Sequence, residues 1–267
     1  MFKRKLAVQM YSLRNEIEKL GMLSVLKTVS DIGFIGIEPC GFGDLSIKDF
    51  KKAASDLGLE ITSSHRPWCN VNNINESIDQ AGELGLTRVV CGYGPKDFEN
   101  LDAIKKTAED TNIMIEKLGA AGLELFQHNH YWEFEKIDGK LKYDYFVELC
   151  PNIKFQLDAY WSSNFGANNA ADMVKKYYDR IILLHMKDGT TEKPELNPKI
   201  VKGTYEQKVP LRPLGEGRLN IKEILEAAPE SIDNVIVELD NSPYDMIVSL
   251  TRSYIYMNQM GFAYGRR

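Results

Sequence analysis

Cysteine is scarce. Four residues, Cys40, Cys69, Cys91 and Cys150, are spread over 267 with no CxxC spacing, which gives no sign of a zinc ribbon or a dithiol redox motif; the plain reading is reduced thiols in a cytoplasmic protein. Long apolar runs are also missing. No stretch approaches the roughly 18 to 20 apolar residues of a membrane helix, and the early run Leu6-Ala7-Val8 stops at Gln9, far short of a signal h-region. Positive charge is not in excess, since 33 Lys and Arg stand against 38 Asp and Glu for a formal charge of -5. That balance argues against a surface built to neutralise the phosphates of a nucleic acid. Nor is there a glycine-rich phosphate loop of the P-loop or dinucleotide type, because Gly92-Tyr93-Gly94 alone is too little; an NAD cofactor is not implied.

With 43% apolar and 27% charged residues, 20 Gly and 10 Pro, the composition fits neither disorder nor a fibrous repeat and is that of an ordinary globular chain. Short apolar or β-branched runs return along it, bounded by Gly, Pro, Asn or Asp and each followed by a longer stretch of helical periodicity. There are eight: Leu6 to Tyr11, Gly36 to Pro39, Leu59 to Ser64, Arg88 to Gly92, Leu123 to His128, Ile153 to Asp158, Ile181 to Met186 and Val235 to Leu239. The first seven starts lie about 25 to 35 residues apart, the length of a strand, a helix and two turns. Helices are expected over Leu20 to Ile32, ended by Gly33, and over Ala103 to Leu118; Asn168-Asn169 and Leu219-Asn220 read as starts of two more. Eight βα units in a chain of this length predict a single-domain (β/α)8 TIM barrel over residues 1–267, with an open doubly wound sheet as the alternative.

Two segments break the rhythm. Trp132 to Tyr145 alternates around Asp138-Gly139, a hairpin turn signal, so a β-hairpin is expected after strand five. Thr190 to Glu216, a long polar excursion after strand seven, reads as an active-site lid.

In such a barrel chemistry sits at the C-terminal ends of the strands, and there the chain places all four of its histidines, His65, His128, His130 and His185. Neutral imidazole is the commonest ligand for a divalent metal, so the clustering points to a shared site. Asp158, His185 and Glu238 end strands six, seven and eight, adjacent staves whose side chains can converge. Two carboxylates and one imidazole suit Mn²⁺, Mg²⁺, Co²⁺ or Zn²⁺ with positions left open for a substrate. The competing structural readings are a helix N-cap for Asp158 and a salt bridge for Glu238.

The stretches Ala7-Val8-Gln9-Met10-Tyr11-Ser12-Leu13-Arg14, Gly36-Ile37-Glu38, His128-Asn129-His130, Gln156-Leu157-Asp158, Leu184-His185-Met186-Lys187-Asp188-Gly189, Gly215-Glu216-Gly217 and Val237-Glu238-Leu239-Asp240-Asn241-Ser242 together resemble the sugar phosphate isomerase/epimerase family. That family shares the xylose isomerase-like TIM barrel. The resemblance spans essentially the whole chain in order. It implies a four-ligand site for one divalent metal ion in which Asp158, His185 and Glu238 take the positions of the Asp, the His and the last Glu. The fourth ligand, commonly a Glu closing strand five, is here His128 by register, with His130 and Glu133 as further candidates. The resemblance also implies a small-molecule sugar or polyol as substrate and a possible homo-oligomer, for which no seam is legible.

A cation so held would polarise a carbonyl and ease proton removal next to it. The resemblance makes Glu238 the first choice of base, with His130 or Glu133 serving the opposite face. Lys187, two residues beyond His185 and on the same side of the strand, could neutralise an alkoxide. Glu38 and His65 are expected at substrate hydroxyls, and Tyr11, Trp68 and Trp161 as walls against a sugar's C–H faces. The expected activity is isomerisation or epimerisation of a ketose, keto-polyol or related sugar. Alternatives are a lyase of the same fold (inosose-type dehydration or elimination from a 3-keto-sugar), an endonuclease IV-like nuclease, which would want three metals and more histidines, and a sugar-binding barrel without catalysis.

Overall fold

A computed structural model describes residues 4–195, 199–201, 204–206, 208–261 and 263–266. All eight expected strands form: β1 (Arg4–Gln9), β2 (Gly36–Glu38), β3 (Glu60–Ile61), β4 (Arg88–Cys91), β5 (Glu124–His128), β6 (Lys154–Asp158), β7 (Ile181–Met186) and β8 (Asn234–Val237). They pair in parallel in the order β3-β2-β1-β8-β7-β6-β5-β4. The sheet curls on itself, and just past β3 the Cys69 N–H donates to the Val90 carbonyl of β4 at 2.9 Å, bringing the two ends of the ladder together. This is the (β/α)8 barrel.

The helices lie between the strands, and their ends follow the local chemistry. Gly33 takes the left-handed conformation, φ 116°, that stops the helix Met22–Ile32. The Asn169 and Asn220 side chains accept the N–H groups of Asp172 and Glu223 and so start the helices Ala170–Lys176 and Ile221–Ala227. The expected Leu20 to Ile32 helix is broken at Gly21, and Leu20 and Leu23 face solvent rather than the core. The hairpin is much shorter than the alternation suggested. Only Lys136–Ile137 and Lys140–Leu141 pair, around Asp138 and Gly139 with positive φ, while Trp132–Phe134 form a turn and Lys142–Leu149 a helix.

Strand alternation sets two layers inside the barrel. Ala7, Val90, Phe126, Leu183 and Ile236 fill one, an apolar plug of fully or nearly fully buried side chains. Two residues further on stand Gln9, His128 and His185 in the same strands, while Gly92 follows β4 and Glu238 follows β8. The polar layer therefore sits directly on the apolar one, at the C-terminal mouth. Gly92 has room for no side chain, because a Cβ there would fall on the Trp68 ring, which rests on the apolar plug.

Beyond β7 the excursion is tied at its base. Asp188–Gly189 pairs antiparallel with Leu211–Arg212, and Lys199–Val201 with Thr204–Glu206. Residues 196–198, 202, 203 and 207 of the expected lid lie outside the described residues.

Candidate metal centre

Four side chains from four successive strands of the ring meet at the mouth. His128 closes β5, Asp158 closes β6, His185 lies one residue before the end of β7, and Glu238 follows β8. One ligand atom from each lies within 4.8 Å of all the others, and all four residues are buried. Register makes the meeting unavoidable: Asp158 is the ladder partner of His185, and His128 that of Gln156, two residues before Asp158 on the same face.

The helix N-cap expected of Asp158 forms, and it uses only one of the two oxygens. Oδ1 accepts the Trp161 N–H at 2.9 Å and caps the short helix Ala159–Ser163. Oδ2 is buried and pairs with Lys187 Nζ at 2.9 Å. Lys187 Nζ is also 3.0 Å from Glu238 Oε2 and 3.3 Å from Asp240 Oδ1. Its partners are these three carboxylates rather than Asp188. Burial works against the ammonium charge, but Asp158, Asp240 and Glu238 hold Lys187 protonated, well above its ordinary range.

The same balance runs through the acids. Burial pushes Asp158 up, opposed by Lys187 and His185. For Glu238 the burial penalty is overcome by Lys187 and His185, so that its carboxyl is held well below the usual range. Asp240 is driven up by burial to about 7. His185 stands between two glutamates, Nδ1 2.7 Å from Glu238 and Nε2 2.6 Å from Glu38; burial opposes its charge, but the pair raises it to about 10. His65, His128 and His130 go the other way: burial pushes all three down and leaves them neutral, His130 to about 3. Four carboxylates, Glu38, Asp158, Glu238 and the partly buried Asp240, thus face two positive groups, Lys187 and His185, and a metal ion would take the place of the His185 proton. The donor set of two carboxylates and two imidazoles and its close spacing fit a divalent ion.

The other expected residues divide. His130 stacks on Trp132 at 4.4 Å, lies 5.2 Å from His128 and 6.2 Å from Trp161 between ring centroids, and leaves Nδ1 without a hydrogen bond. Trp161 sits under the Lys187 ammonium at 5.2 Å, and Trp68 lies 4.7 Å from His65 and 6.0 Å from His128, so the two indoles flank the cluster. Tyr11 is half-buried at the end of β1, with the Arg14 guanidinium over its ring at 4.1 Å. Glu133 does not join them. Its carboxylate takes the Gln127 amide at 3.1 Å and the His130 N–H at 3.0 Å; Gln127 is next to His128 on β5 and so points away from the barrel interior. The expectation of Glu133 as a base or ligand is corrected accordingly.

Glu38 is also corrected. It is wholly buried, and its oxygens are taken by Gln9, Ser63, Gln156 and His185, which leaves no room for a substrate hydroxyl. His65, 3.2 Å from Glu38 and bonded to Gln156, belongs to the same buried layer. Gln156 and Ser63 were not singled out in the sequence; for Gln156 the signal was there, two residues before Asp158 on an inward-facing register.

A profile of the xylose isomerase-like TIM barrel matches residues 26–243. The chain belongs to that family. Solved structures superpose along nearly the whole length. A sugar phosphate isomerase/epimerase from Parabacteroides distasonis is 22% identical, covering 97% of this chain and 100% of that one, with a TM-score of 0.79. A probable 3-DHS dehydratase from Bacillus anthracis is 14% identical over 94% of this chain and 98% of its own, with a TM-score of 0.71. An L-ribulose 3-epimerase is 16% identical over 96% and 94%, with a TM-score of 0.66. A search of curated proteins finds no match. Among the described residues of this xylose isomerase-like barrel, no helix is long and apolar enough to cross a membrane.

Proposed function

We propose that this barrel is a divalent-metal-dependent isomerase or epimerase that moves a proton next to the carbonyl of a ketose, keto-polyol or related sugar. The observation that carries the reading is the convergence of His128, Asp158, His185 and Glu238 at the mouth; the epimerase among the structural neighbours supports the reaction class. These four residues would hold the ion, which would supply Lewis-acid polarisation of the substrate carbonyl.

The chain's own groups then divide the work. Glu238, its Oε2 held by His185 and Lys187, is the base on one face of the carbon acid. The His130 ring, neutral and with Nδ1 free, faces the other side as the group that returns or removes a proton there. Lys187 stays charged and offsets negative charge that develops on the substrate oxygen. Trp68 and Trp161 offer flat apolar walls to a sugar ring and keep water from the reacting carbon.

The test is a screen of ketoses, inososes and 3-keto-glycosides with Mn²⁺, Co²⁺ or Mg²⁺ in D₂O, read by NMR. Isomerisation or epimerisation with deuterium at the reacting carbon is the expected result. Deuterium uptake with loss of water or of an aglycone would replace the proposal with a lyase. Protein that binds none of the ions and exchanges no deuterium would end it.

A further inference from the structure

Below the four converging groups lies a chain of hydrogen bonds whose direction can be read from one end. The Tyr11 backbone N–H can only donate, so the Gln9 atom 3.0 Å from it is the carbonyl oxygen. The other end of that amide, the NH₂, then faces Glu38 at 2.6 Å. Glu38 accepts from a second amide, Gln156 Nε2, also at 2.6 Å. The NH₂ of Gln156 is thereby fixed on Glu38, and its carbonyl oxygen must face the opposite way. There it meets two imidazoles, His65 Nε2 at 2.6 Å and His128 Nδ1 at 3.1 Å. A carbonyl oxygen accepts only. Both ring nitrogens must therefore carry the proton.

We infer that Gln156 is a positioning residue which fixes His128 as the Nδ1–H tautomer, so that Nε2 is the atom it offers to the cation. The inference rests on the metal-dependent reading for its purpose, and on the bond directions alone for its content. It also accounts for a departure in this chain. A glutamate ending β5 would offer either of two equivalent oxygens, whereas a histidine can ligate only through the nitrogen left without a proton. In water the Nε2–H form of a neutral imidazole predominates, which would leave the wrong nitrogen free. A buried acceptor at Nδ1 reverses that preference, and orienting partners of this kind are typically worth 10- to 100-fold in metal affinity.

Long-range ¹H–¹⁵N spectra of the metal-free protein, labelled with ¹⁵N-histidine, read each tautomer directly. His128 is expected with its proton on Nδ1 and His65 with its proton on Nε2. In Gln156→Leu, His128 should pass to the Nε2–H form, and Mn²⁺ affinity by titration calorimetry should fall 10- to 100-fold. An Nε2–H His128 in the native protein overturns the inference, and this outcome does not depend on whether the variant folds. So does an unchanged His128 tautomer in a folded Gln156→Leu. Native protein with the Nδ1–H ring but no affinity for Mn²⁺ would count against the metal-dependent reading and leave the tautomer assignment standing.

Discussion

At the scale of single residues, burial decides most of what the acids and bases here can do, and Glu133 shows it outside the cluster. Burial raises its carboxyl from 4.5 to about 8, against the N–H bonds that favour the charged form. In the unfolded chain it ionises near 4.5, so between those values the folded protein holds a proton that the unfolded chain has lost. Native stability must then fall as pH rises through that window, by up to about 1.4 kcal/mol per unit. Glu133→Gln removes the titration, and its amide can donate to Gln127 Oε1, now buried without a partner. The variant should match the native protein near pH 5 and exceed it by at least about 1 kcal/mol at pH 9. Urea denaturation at both pH values checks this; equal pH dependence in the two proteins would refute it. The residue types of the cluster were legible in the sequence, because Asp158, His185 and Glu238 end their strands. What Glu38 and Glu133 touch was not. A strand end says that a group is near the mouth, while the contacts that spend its hydrogen-bonding capacity come from residues remote in sequence, as Gln156 does for Glu38.

At the scale of elements, the turn glycines and capping asparagines were readable because their signals are local, whereas the base of the long excursion was not. There Asp188, beside Lys187 but turned away from it, accepts four backbone N–H groups: Gly189 at 2.8 Å, Gly215 and Gly217 at 3.0 Å and Leu219 at 3.1 Å. The carboxylate ties both ends of the segment together across some thirty residues of sequence. Gly217 completes the clasp by having no side chain, since a Cβ would fall on the Asp188 carboxylate and the Gly189 nitrogen. Asp188→Ala would leave the buried Gly189 N–H unpaired, at about 1 to 3 kcal/mol, and release the partly buried N–H groups of Gly215, Gly217 and Leu219. The expected result is a folded but less stable barrel that trypsin cuts faster after Lys208, which is exposed in the segment. Cleavage at the native rate would show that other contacts hold the excursion in place. The hairpin misreading belongs at this scale as well. Alternation over Trp132 to Tyr145 is real, but a helix starting at Lys142 buries Tyr143 and Phe146 on one face just as well.

For the whole molecule, the barrel was legible because seven strand starts at one spacing, with an eighth after the long excursion, over-determine it, and no single misplaced boundary changes the count. Its ring topology is what turns residues 128, 158, 185 and 238 into neighbours. An unfolded chain holds them far apart, so an ion bound by all four acts on the folding equilibrium as a ligand of the native state alone. Mn²⁺ at about 100 times its dissociation constant should then stabilise the protein by about 2.7 kcal/mol, which for a chain of this size is a rise in Tm of roughly 5 to 10 °C. Mn²⁺ is the ion to use, because four free cysteines would give Zn²⁺ a hold on the unfolded chain and mask the effect. In Asp158→Asn the Trp161 N–H keeps an acceptor while the anionic oxygen facing the cluster is lost. The variant should fold, and its Tm should not respond to Mn²⁺. A shift of equal size in both proteins would place the ion elsewhere on the surface, and with it the chemistry assigned to the mouth of the barrel.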